Sequence, residues 1–288
     1  MSLCIGWIRK TNVSEEVVLA SDSCFSGGHR FIAAPKLFAM KRGDFALACA
    51  GSTTYSSAII EHIRQAMDCN APISQRAYDI EDIVHYIVDI INETLLHEKE
   101  TIGIYETDFK MILGGYSWKR KRAVLRIIEY SSRMKNYYSH VVKTIKKTPV
   151  AVIGDMDVVK PARKAIFDRL EADGIVDGAP FDMQPFSVLM DFIKNPQYTT
   201  IDGAPQLLKV YPFMNSLPWG FTYGNDCSIY FYGRKLLSYE TFPYLIYNIE
   251  TGEKTYMKSV TEQYERGHEI IQTFNVEEKS IFNIYGIG

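Results

Sequence analysis

Short apolar runs cut by polar punctuation fill the first fifty residues of the chain, and long amphipathic stripes replace them afterwards. Leu3–Ile8 is apolar, with Ile5, Trp7 and Ile8 suited to a buried strand. Lys10–Glu16 is polar and reads as a hairpin loop. Val17–Ala20 returns as a second strand, ending at Ser21, Asp22 and Ser23. After a turn at Ser26-Gly27-Gly28, Phe31–Ala34 leads to Pro35 and Lys36, and Leu37–Met40 is apolar again. Lys41–Asp44 reads as a turn, and Phe45–Ala50 as a strand closing on Gly51 and Ser52. Short strands joined by tight turns, all before any helix, predict antiparallel sheet.

The period then changes. Thr53–Cys69 places Ile59, Ile60, Ile63 and Met67 on one helical face, capped by Ser52 or Thr53. Asp79–Leu96 carries a longer stripe of Ile80, Ile83, Val84, Ile87, Val88, Ile91 and Leu95, with its acids off that face. Strands resume at Phe109–Tyr116, Ala123–Tyr130 and Val150–Gly154, and a third helix falls near Val158–Leu170. Two layers of strands with two helices packed between the first set and the second predict an α+β sandwich. Beyond residue 175 the pattern thins to a helix at Asp182–Ile193 and strands at Pro205–Val210, Ser228–Tyr232 and Tyr244–Ile249. Aromatic residues crowd this part, Trp219 and Phe221 among them. They read as core and strand packing, with a subunit interface or a substrate wall as alternatives.

Composition narrows the function classes. Hydrophobic residues make up 47% and charged residues 23% of 288, an ordinary soluble globular balance. The net charge of −2 supplies no general field for a phosphate backbone, so no nucleic-acid partner is expected. The local basic run Lys119–Arg122, with Lys135, Lys143, Lys146 and Lys147, reads as solvated loop tips. Five scattered cysteines without a Cys-x-x-Cys pair argue against a disulfide scaffold and a zinc ribbon. Six histidines without a His-x-x-x-His pair give no metal signature, and no cofactor is implied. No signal peptide or membrane-length apolar stretch is read, so the expectation is a cytoplasmic chain with no membrane partner.

Four segments together resemble a family. Val17–Ser23 is similar to the VVLAADSR strand of proteasome β-subunits and their bacterial proteasome-like relatives. Ala34-Pro35-Lys36-Leu37 resembles the strand that carries the family's lysine. Phe45–Ser52 resembles the GFAGG segment that begins the first helix, and Ser2–Trp7 the mature TTIVGV opening. The resemblance covers about residues 2–175 and implies a four-layer αββα sandwich of the N-terminal-nucleophile hydrolase type. Residues 176–288 would complete or extend it.

The resemblance implies an amide-bond hydrolase, a threonine/serine-type peptidase, with Ser2 as nucleophile after Met1 removal. The chain's own α-amine, with an ordinary pKa of about 8, would serve as base. Lys36 would sit near Ser2, Asp22 would hold Lys36, and the Gly51 N–H would face the developing oxyanion. Asp155 falls where the family has a serine and would bind the amino terminus, with Asp157 or Asp202 as a second carboxylate. Cys24 replaces the family's arginine, and Cys4 is the alternative nucleophile. Locally, each residue also has a plain reading: Asp22 a turn cap, Lys36 a surface lysine, Cys4 a buried strand cysteine. The implied partners are a peptide or amide substrate and copies of the same chain, with an ATPase or regulatory partner left open. A non-catalytic proteasome-like subunit and a small-molecule amidase are the other function classes.

Overall fold

A computed structural model describes residues 2–11, 14–26, 29–97, 109–213, 215–223, 226–257 and 271–273. In chain order the first elements are β1 (Leu3–Lys10), β2 (Glu15–Ser21), β3 (Leu37–Ala39), β4 (Phe45–Gly51), α1 (Thr53–Cys69), α2 (Ala71–Ser74) and α3 (Ile80–Leu95). The middle supplies β5 (Phe109–Ser117), β6 (Arg122–Ser131), β7 (Asn136–Val141), β8 (Thr144–Ile145), β9 (Thr148–Gly154), α4 (Met156–Ala172) and α5 (Gln184–Lys194). The last part adds β10 (Gln206–Tyr211), β11 (Asn215–Tyr223), β12 (Asp226–Phe231), β13 (Arg234–Lys235), β14 (Leu245–Asn248), β15 (Lys254–Met257) and β16 (Ile271–Thr273).

These strands make two sheets. The large one runs β16-β15-β14-β11-β10-β2-β1-β9-β8, with β12 and β13 attached beside β11. Its neighbours are antiparallel except β11 and β14. The small sheet runs β3-β4-β5-β6-β7. The opening strands are thus antiparallel, as expected, but the chain deals β1 and β2 to one sheet and β3 and β4 to the other.

The core falls into three main clusters. Ile5, Trp7, Val18 and Ala20 of the large sheet pack against Val158, Ile166 and Leu170 of α4 and Phe186 and Leu189 of α5. Leu47, Met111 and Leu113 of the small sheet pack against Ile59 and Ile63 of α1 and Ile83, Ile87 and Ile91 of α3. A third cluster joins the two sheets through Cys4, Val17, Leu19, Ala46, Ala48, Ile112, Leu125, Ala151 and Leu208. Among the described residues no helix side chain enters this third cluster, which corrects the expectation that two helices pack between the strand layers. Alternation explains this. Along β1, β2 and β4 alternate residues turn to a helix and to the opposite sheet, and on β4 the second face is the alanine row Ala46, Ala48 and Ala50.

Charged residues within strands moved some boundaries. The segment read as a loop at Lys10–Glu16 gives only its ends to the ladder, where Lys10 pairs across with Glu15 and Arg9 with Glu16. Glu16 is buried and bonds Lys209 at 2.9 Å, whose ammonium lies 4.5 Å from the Trp219 ring centre. Ser52 sits at the N-cap of α1, yet its hydroxyl makes no capping bond. In the basic β5–β6 turn, Lys119 and Arg120 pair with Asp82 and Glu81 of α3 at 3.5 and 3.2 Å. Trp219 and Phe221 enter the core, and Phe221 stacks on Phe186 at 5.4 Å. Among the described residues, no helix is long and apolar enough to cross a membrane.

Candidate active site

The site lies where both sheets end on the same side. Asp22 follows the last residue of β2 in the large sheet, and Lys36 precedes β3 in the small one. Ser2 precedes β1, which runs beside β2 with Cys4 opposite Ser21. All three side chains are buried, Asp22 completely and Lys36 to within 1%.

Lys36 holds them together. Its Nζ donates to both Asp22 carboxylate oxygens at 2.8 Å and to Ser2 Oγ at 3.0 Å. The Asp22 carboxylate also accepts the Leu3 N–H at 3.0 Å and the Cys24 N–H at 2.9 Å. Burial of this ion pair is thus matched by hydrogen bonds to the remaining carboxylate lone pairs, which such a pair requires. An ammonium aimed at a serine oxygen stabilises negative charge there, so ionisation of that hydroxyl is made easier.

A pocket of about 170 Å³ opens on this group. Phe25, Phe38, Cys49, Ser56, Ile60 and Arg64 line it, together with Ser2, Lys36 and Gly51. Gly51 ends β4 with φ +110°, a backbone state that favours glycine. The Arg64 guanidinium lies over the Phe38 ring at 5.5 Å. Among the described residues, no three His, Cys, Asp or Glu side chains converge as metal ligands.

A solved structure shares this fold. It is the Anbu (Gly-1) mutant from Hyphomicrobium sp. strain MC1, 15% identical over 75% of this chain and 85% of that one, with a TM-score of 0.52. At that identity the likeness concerns the fold alone. No family model matches the chain, and no curated protein matches it either.

Within this Anbu-like fold the residues singled out in the sequence separate into three groups. Ser2, Asp22 and Lys36 meet directly, and Gly51 lines the same pocket as Ser2 and Lys36. Asp155 is the N-cap of α4 and follows Gly154, which pairs with Leu3, so it stands beside the start of β1 and outside the pocket lining. Asp157 lies on the exposed first turn of α4, and Asp202 pairs with Arg30. Cys4 is turned into the sheet–sheet core, where its thiol donates to the Cys49 carbonyl at 3.3 Å. Burial pushes the Cys4 thiol up to about 12 against the opposing pull of Lys36, so it stays protonated at neutral pH.

Two groups of residues escaped the sequence reading. Ser56, Ile60 and Arg64 reach the pocket from one face of α1, as i+4 spacing allows, but nothing in the stripe distinguishes pocket from core. Gln206, at the start of β10, donates through Nε2 to the Asp22 carbonyl at 3.1 Å and the Ala34 carbonyl at 2.7 Å. It comes from a part of the chain with no motif at all.

Proposed function

We propose that this chain is an amide-bond hydrolase of the N-terminal-nucleophile class, built as a four-layer αββα sandwich and acting through Ser2 once Met1 is removed. One observation carries the reading: a buried ammonium, fixed by a carboxylate, donates to the hydroxyl of the second residue at the mouth of a pocket. A lysine held only for stability has no need of that third contact.

The steps follow from the positions. Ser2 Oγ attacks the amide carbonyl carbon while the Ser2 α-amine, through a bridging water, takes the hydroxyl proton. Lys36 lowers the cost of the forming alkoxide, and the Gly51 N–H receives the oxyanion of the tetrahedral intermediate, a donor of about 3 kcal/mol in comparable sites. Collapse breaks the C–N bond, and the proton passes from the amine to the leaving nitrogen. Water then hydrolyses the Ser2 ester, restoring the hydroxyl and releasing the acid. Asp155 orients the amino terminus from the start of α4.

The two helix-on-sheet clusters and the alanine-rich contact between sheets support the layer order. Residues 2–175 form the catalytic core in this reading, and 176–288 complete the large sheet and extend it. The substrate is a peptide or related amide, the assembly a homo-oligomer and the setting cytoplasmic, in keeping with free thiols at Cys4, Cys24, Cys49 and Cys69.

Intact mass and an electrophile test it. Purified protein should lack Met1, and a β-lactone should add its mass at Ser2. Ser2→Ala should abolish labelling and amide cleavage, while Ser2→Thr and Ser2→Cys retain both. Retained Met1 with no labelling favours the non-catalytic subunit, and full activity of Ser2→Ala ends the proposal.

A further inference from the structure

Asp22 and Lys36 stand at the two ends of the connection from β2 in the large sheet to β3 in the small one, so their alignment depends on what ties those ends together. Gln206 does so from a third strand. Its side chain is 1% exposed. Oε1 accepts the Lys36 main-chain N–H at 3.0 Å, and Nε2 donates to the main-chain carbonyls of Asp22 and Ala34. Three of the four hydrogen bonds a carboxamide can make are used, all to the backbone that presents the ion pair. The Gln206 Cα is itself fixed opposite Ser21 in the β10–β2 ladder. Ser23 adds a parallel tie, its carbonyl accepting the Ala34 N–H at 2.9 Å, but this does not reach Lys36.

We propose that Gln206 is a positioning residue of the site: its carboxamide sets the separation of the Asp22 and Lys36 main chains so that the Lys36 ammonium reaches Ser2 Oγ. The inference rests on the reading of Ser2 as nucleophile. Gln206 touches no reacting atom and acts through Lys36. The chemistry demands an amide here. An ionised glutamate keeps the acceptor for Lys36 N–H but sets an oxygen against two carbonyls, and leucine takes the partner from the buried Lys36 N–H and Ala34 carbonyl, while the Asp22 carbonyl keeps the Ser21 hydroxyl at 2.6 Å. Displacing a catalytic group by about 1 Å costs on the order of 100-fold in rate.

Gln206→Glu, of the same size, and Gln206→Leu test this in the full chain with two readouts. The first is kinact and KI for acylation by a β-lactone. The second is the 1H–15N signal of the Lys36 side-chain ammonium, visible when a buried, hydrogen-bonded ammonium exchanges slowly with water. Both variants should lower kinact by about 10- to 100-fold with KI within about twofold, and should shift or erase the Lys36 signal. A role confined to packing would lower Tm and leave kinact and the Lys36 signal unchanged; that result overturns the proposal, as does a loss seen in KI alone. Should the leucine variant fail to fold, the isosteric glutamate variant decides. If Ser2→Ala is labelled as fast as the parent, the hydrolase reading falls, while the Lys36 signal still decides whether Gln206 holds that side chain.

Discussion

Lys36 shows how much of the site's character comes from burial. With 1% of its surface exposed, the ammonium is held by the Asp22 carboxylate and the Ser2 hydroxyl and lies 5.7 Å from the Phe25 ring centre. Removing one member of such a pair leaves a buried charge without its partner, at a cost of about 3–5 kcal/mol. Lys36→Ala is therefore a stability variant as well as a chemical one, and Ser2→Ala, which removes one oxygen, is the cleaner probe. Burial also sorts the thiols. Cys4 and Cys49 are both pushed up to about 12, whereas Cys69 is exposed on α1. In the folded protein at pH 8, iodoacetamide should alkylate Cys69 at least about 100-fold faster than Cys4, Cys24 or Cys49, as read by peptide mass mapping. The same shifts set a sign for stability. Above about pH 9 the unfolded thiols lose protons that the native ones keep, so stability falls as pH rises toward 12, by up to about 1.4 kcal/mol per pH unit for each thiol. Denaturation curves between pH 8 and 11 should show that slope, and Cys4→Ala should reduce it while the Cys49 share remains.

At the scale of elements, the close contact between sheets depends on small residues. A Cβ on Gly114 of β5 would lie 2.5 Å from Val17 Cγ1, and one on Gly6 of β1 would lie 3.1 Å from Ile112 Cγ2 of the opposite sheet. Valine is stiff at χ1 and cannot swing clear, so Gly114→Ala should destabilise by about 1–3 kcal/mol through overpacking. Urea unfolding checks this, and a change below 0.5 kcal/mol, roughly the size of an ordinary surface substitution, would show that the sheets can move apart. The helices were legible beforehand because their stripes face one partner. Thr53–Cys69 matched α1 at both ends, and the long Ile stripe matched α3. The strands that escaped include two without a plain apolar run. β7 is an edge strand buried mainly at Tyr137, and β11 contains Pro218, which weakens any strand reading.

For the whole molecule, the deciding feature is the place of β10 beside β2, which brings a strand from the less readable part of the chain to the site. A homo-oligomer is the assembly this fold reading leads to, and light scattering should give a multiple of the single-chain mass; a monomer at working concentrations would count against it. Periodicity alone placed the apolar strands and the main helices, because a side chain's face repeats every two or every 3.6 residues whatever surrounds it. The order Ser2, Asp22, Lys36, Gly51 was also readable in one dimension, through its likeness to a known pattern. Which sheet each strand joins was not, since hydrogen-bond partners are chosen by long-range packing rather than by local pattern. Nor was the burial of Lys36, which in isolation reads as a surface lysine after a proline. Gln206 lies 170 residues from Lys36 along the chain, and only the folded sheet brings its amide to the backbone of both charged residues.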